Sequence, residues 1–223
     1  TEGFPIENPV KDMNIADEKP DGFVEGSLIE EFAGSDIKEN KNQLEETAGK
    51  DEVMRLNKLA AAIYMTCQGT LFFLSGEEFC RTKGGLDNTY NMPISVNKLD
   101  WELAYKNKDL VDYYKGLIAL RKEISGLCDK SQNSYKHITD MWKQKQVVGF
   151  SVNNDKDSLW SQVKVIYNAS KKDFEVESLD GGFEVLCDGN DSMLWKKNIS
   201  AKAPIKVGKQ SVLILGKKRI EEI

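Results

Sequence analysis

Two hydrophobic periods divide the chain. Leu56, Leu59, Ala60, Ile63, Tyr64 and Cys67 recur at helical spacing and predict one face of an amphipathic helix running on from Asp51. Gly69 stands where a glycine cap would close it. Residues 70–75 follow as a short apolar run with two phenylalanines, the pattern of a strand buried on both faces. Helix, glycine turn and buried strand predict an αβ unit of a parallel-sheet protein. Residues 84–100 are rich in Gly, Asp and Asn without periodicity and predict a long loop, functional or mobile. A second helix is expected to begin near Asp109 as N-cap. Leu110, Tyr113, Tyr114, Leu117, Ile118 and Ile124 supply its buried face. Arg121 and Lys122 suit its negative end, and Gly126 its stop.

After Leu127 the period falls to two. Strands are predicted at 147–152, 163–167, 174–176, 183–186 and 211–215, with turn signals between them at 153–155, 180–182, 188–190 and Gly208. Short strands at this spacing predict an antiparallel β-sandwich. Residues 1–50 are polar, acidic and poorly periodic, and Pro5, Pro9 and Pro20 oppose a long helix there. Short helical turns at 27–32 and 39–47 fit that stretch. The pattern therefore divides into an irregular segment at 1–50, a helix-and-strand segment at 51–127 and a β-sandwich at 128–223.

Bulk properties narrow the function classes. A chain of 223 residues holds one large domain, or a small domain plus part of a larger one. Its net charge of −5 repels nucleic acid and anionic membrane, and no basic stretch interleaved with aromatics restores a nucleic-acid reading. The apolar stretch 59–76 approaches the length of a membrane span, but Gln68 and Gly69 interrupt it. Cys67, Cys80, Cys128 and Cys187 lack the spacing of a zinc or redox site and read as small hydrophobes or surface thiols. The stretch 188–191 reads as a turn rather than a calcium loop. No charged and apolar leader is visible. No metal, cofactor, nucleic-acid or membrane partner is expected.

One long collinear match points further. Residues 56–62, 68–79 (QGTLFFLSGEEF), 81–83, 87–91 (DNTYN), 96–101 (VNKLDW) and 112–121 (DYYKGLIALR) resemble pullulanase-type debranching enzymes of the α-amylase clan. Residues 11–26 more weakly resemble an earlier segment of the same barrel. The resemblance implies the C-terminal end of a TIM barrel followed by a β-sandwich. The first helix would be the seventh of the barrel and residues 71–75 its eighth strand. Loops after the C-terminal strand ends build the active site of such barrels, so residues 76–101 would line a sugar cleft. Glu77, Arg81, Asp87, Asn88, Asn91 and Asn97 offer polar partners for sugar hydroxyls, and Tyr90 and Trp101 offer rings for pyranose faces.

The same resemblance implies what the chain lacks. Glycoside hydrolysis uses two carboxyl groups roughly 5–9 Å apart across the scissile bond. Glu77 and Glu78 are adjacent at an expected strand end, so their side chains should diverge. One is expected to face the cleft or anchor the loop, with Arg81 a candidate partner, and no catalytic residue is assigned. The family's nucleophile and acid come from earlier strands, and its His-Asp pair after the seventh strand has no counterpart in residues 26–51. The sole histidine is His137, which reads as a structural or surface residue. The implied function is the C-terminal portion of a pullulanase-like hydrolase acting on α-1,6 branch links. Its partners would be α-glucan and the rest of the parent barrel. The alternative is a non-catalytic α-glucan-binding or structural module.

Overall fold

The computed structural model describes residues 49–86 and 88–219. The irregular segment, its helical turns and the stretch without a His-Asp pair lie outside the described residues. Helix α1 (Lys50–Met65) begins with Asp51 and Glu52 in its first turn, where acidic groups favour the helix dipole. It ends before Gly69, at Thr66, whose hydroxyl donates to Ala62 O at 2.6 Å. The expected face is only part of what it buries. Ala61, Ala62 and Met65 are also buried, and Tyr64 stacks on Phe73 at 6.0 Å. The helix is covered on more than one side.

Helix α2 (Ile94–Asn97) lies inside the expected loop. It is followed by α3 (Trp101–Lys106), capped by the Asp100 side chain, which accepts from Glu102 N. Helix α4 (Lys108–Lys122) has Asp109 inside its first turn and buries Leu110, Tyr113, Tyr114, Leu117 and Leu120. Ile118 is on its open side at 38% exposure, and Leu120 takes the expected inward place. Gly126 does not end this helix but belongs to the turn α5 (Ser125–Cys128).

The eight strands are β1 (Ile138–Gln144), β2 (Val147–Asn153), β3 (Trp160–Asn168), β4 (Phe174–Val176), β5 (Phe183–Cys187), β6 (Ile199–Ser200), β7 (Ile205–Val207) and β8 (Ser211–Lys218). They form a six-stranded sheet in the order β1-β2-β3-β8-β5-β6 and a two-stranded sheet of β4 and β7. Every pairing among the described residues is antiparallel. The alternation of β8 explains the layering. Val212 and Ile214 join Leu59, Ala62, Tyr113 and Leu117 in a core shared with the helices. Leu213 and Leu215 point the other way, into a smaller core with Phe174, Ile205 and Val207. The large sheet thus lies between a helical layer and the small sheet, and the antiparallel sheets fit the β-sandwich expected after Leu127.

The parallel αβ unit is not seen. Residues 70–74 run extended without a strand partner among the described residues. Phe72 is 94% exposed and Leu74 46%, whereas Leu71 and Phe73 pack on the helical core. Alternation, not burial on both faces, is what this run displays. His137 is structural as expected: Nδ1 lies 2.7 Å from Asn153 O and Nε2 lies 3.2 Å from Asp129 Oδ2. The turn at 188–191 is closed by the Asp188 carboxylate, which accepts from the amides of Asn190 and Asp191. No described helix is long and apolar enough to cross a membrane.

Candidate functional site

The loop singled out by sequence, 76–101, leaves the extended run through a sharp turn. Gly76 has φ +102, and a Cβ there would meet the Arg81 side chain at 2.6 Å, so only glycine fits. Phe79 N and Arg81 N both donate to Gly76 O, at 3.1 and 2.8 Å. Glu78 folds back to accept from Gly76 N at 2.8 Å. This carboxylate is the glutamate that anchors the loop. Glu77 is half-buried beside it.

Two asparagines from neighbouring elements hold the turn from below. Asn57 on α1 donates to Glu77 O at 3.4 Å, and Asn107 before α4 donates to Phe79 O at 3.0 Å. Phe79 itself is 1% exposed and plugs the loop onto the helical layer. Neither asparagine stood out as a site residue in the sequence, because each acts through a main-chain carbonyl that no spacing reveals. Burial, together with the nearby Glu77 and Glu78 charges, pushes the Tyr64 and Tyr114 hydroxyls well above the ordinary tyrosine value.

Arg81 spans the loop, donating to Ser75 O at 3.2 Å and to Asn97 O. Asn97 spends its amide locally. Its Oδ1 accepts from Thr89 Oγ1 at 3.0 Å, and its Nδ2 donates to Thr89 O at 2.7 Å and to Met92 O at 3.2 Å. Lys83 Nζ donates to Thr89 Oγ1 at 2.6 Å. Asn97 is thus a staple of the loop, and Thr89, 3% exposed, is its unforeseen partner. Asn88 and Asn91 are exposed, and Asp87 lies outside the described residues. Tyr90 is 83% exposed. Trp101 rests one side near Phe79, 5.7 Å between ring centres, yet remains 62% exposed. The structure therefore brings Arg81, Asn97 and Trp101 onto one braced loop and leaves Tyr90 and Asn91 projecting from it. Among the described residues no three His, Cys, Asp or Glu side chains gather as metal ligands.

No protein-family model matches the chain. It is 33% identical over 134 residues to a pullulanase of Bacillus subtilis (strain 168), covering 59% of this chain and 19% of that protein. Among solved structures, a mutant pullulanase from Paenibacillus barengoltzii complexed with maltotetraose superposes with a TM-score of 0.65 at 31% identity, over 77% of this chain and 26% of that one. A pullulanase from Anoxybacillus sp. LM18-11, also complexed with maltotetraose, gives a TM-score of 0.69 at 22% identity, over 81% and 26%. That last likeness speaks to fold alone. The resemblance to pullulanases read from the sequence holds in both sequence and structure, and the chain spans about a fifth of the curated relative's length.

Proposed function

We propose that the chain is the C-terminal portion of a pullulanase-like glycoside hydrolase, with the 76–101 loop as one wall of its α-glucan cleft. In this reading residues 71–75 are the eighth strand of a TIM barrel whose other strands lie outside the described residues. The β-rich part braces that barrel end. The observation that carries the reading is the apolar surface around the extended run. Phe72 is 94% exposed and Leu74 46%, on backbone without strand partners among the described residues. Large apolar side chains left exposed on one unpaired run suit a contact surface, and flanking barrel strands would supply both the missing hydrogen bonds and the cover.

The chemistry supports a supporting role for this chain. Glu78 is committed to Gly76 N, so Glu77 and Glu78 do not form a free pair across a glycosidic bond. Acid and nucleophile come from strands outside this chain. Exposed rings at Tyr90 and Trp101 then face the glucan, and Arg81 holds the loop in shape. The test compares the chain alone with a longer protein in which the upstream barrel precedes it. Pullulan hydrolysis is undetectable with the chain alone and present in the longer protein. Robust hydrolysis by the chain alone overturns the proposal.

A further inference from the structure

A groove of about 400 Å³ opens on the face of the large sheet that carries β4 and β7. Its shelf is Trp142. On edge strand β1 this residue pairs with Gly149 of β2, and its indole lies directly over that glycine. A Cβ at Gly149 would sit 2.4–2.5 Å from three atoms of the ring system. Phe174 flanks the indole at 5.9 Å, tilted by 31°. Trp142 nevertheless stays 37% exposed.

Polar groups ring this shelf. Ser151 lines the groove from β2 and is 2% exposed. Lys164, held 3.9 Å from Asp180, reaches in from β3. Asp140 and Gln144 add a carboxylate and an amide from β1.

From this arrangement we propose that the groove is a second carbohydrate site, binding a short neutral gluco-oligosaccharide apart from the 76–101 loop. An aromatic shelf takes the apolar face of a pyranose, and the surrounding groups bond its hydroxyls. The volume suits a small organic ligand. Asp140, Glu175 and Glu177 outnumber Lys164 along the lining, which opposes an anion. A wholly apolar ligand would desolvate Ser151, Asp140 and Gln144 without bonding them. The choice of an α-linked glucan, but not the site, rests on the proposed pullulanase-like function.

The test is a titration of the whole chain with maltotetraose, followed by the indole N–H signals in 1H-15N spectra. The chain has four tryptophans, and Trp142→Phe assigns the signal of interest. The Trp142 signal should move saturably. Ser151→Ala, which keeps the groove's shape, should weaken that response about fivefold, the effect of one lost hydrogen bond. A Trp142 signal that stays fixed, or an unchanged affinity in Ser151→Ala, overturns the second site. A shift confined to Trp101 also overturns it while leaving the loop reading intact, and pullulan hydrolysis by the longer protein tests that reading independently.

Discussion

Tyr114 Oη donates to Asn57 Oδ1 at 2.9 Å, and through that one amide α4 is tied both to α1 and to the candidate loop. The carbonyl end of Asn57 is held by the tyrosine, which orients the Nδ2 end toward Glu77 O. Tyr114→Phe leaves Oδ1 short of its donor in a half-buried place. It should lower unfolding free energy by about 1–2 kcal/mol, measured by urea denaturation. Hydrogen exchange at residues 76–81 should rise in the same variant, because the amide that supports the turn is no longer fixed. Unchanged exchange there would show that Asn57 does not brace the loop.

Arg121 is the second organising side chain. It donates to four carbonyls: Met65 O at 2.8 Å, Cys67 O at 2.6 Å, Gly69 O at 3.0 Å and Leu127 O at 3.0 Å. The last turn of α1 has carbonyls without helical partners, and the planar fork of a guanidinium serves several at once. Lysine keeps the charge but not the fork. Arg121→Lys should therefore cost about 2–4 kcal/mol, seen as a lowered urea midpoint with an unchanged slope.

These two residues also show where sequence reading stops. Arg121 was legible as a cation suited to the end of its own helix, but its hydrogen bonds go to the end of α1, to the turn after it and to Leu127, and no spacing in one chain encodes that. Strand β4 matched its apolar pattern residue for residue. Strand β1 escaped notice because an edge strand can be polar on both faces: Asp140, Lys143 and Gln144 interrupt any alternation, and Asp140 takes φ +51. The run 70–75 was read as wholly buried because apolar content does not say which neighbours are present. Within the loop, the resemblance to pullulanases singled out Arg81, Asn97 and Trp101. It did not reveal that Asn97 is spent on Thr89 and Met92. The Trp142 groove was hidden because Gly149, Ser151 and Lys164 meet only through strand register.

Acid should act through the junction between α5 and β1. Asp129 accepts from Ser131 N at 2.8 Å and Ser131 Oγ at 2.9 Å, and it faces His137 Nε2 at 3.2 Å. The Ser131 hydrogen bonds first, and His137 after them, hold its carboxyl below the ordinary value of 3.8. A carboxyl lowered in the fold stabilises it at neutral pH and loses that contribution as pH falls from 3.8 toward the folded value. Asp129→Asn removes this share. Its melting temperature should be lower than wild type at pH 7, and the two should converge on acidification. Asp173 and Asp191 are lowered too, so the variant flattens the acid limb only in part. A difference that widens below pH 4 would refute the assignment.

Thiol chemistry gives a last, independent check on the packing of α4 against the sheet. Cys187 is fully buried at the end of β5, 3.4 Å from Tyr113 Oη, and burial pushes its thiol up to about 12. The reactive species is the thiolate, so this cysteine is protected twice, by access and by ionisation. Cys128, in α5, is exposed. Native labelling with iodoacetamide at pH 8 should modify Cys128 first and leave Cys187 unmodified until denaturant is added, as read by peptide mass spectrometry. Tyr113→Ala opens a cavity beside the thiol and removes the hydroxyl that donates to Asp188 O at 2.8 Å. It should admit reagent to Cys187 at denaturant concentrations below the global transition. Labelling of Cys187 as fast as Cys128 in the native protein would mean that α4 does not seal the sheet as the structure shows.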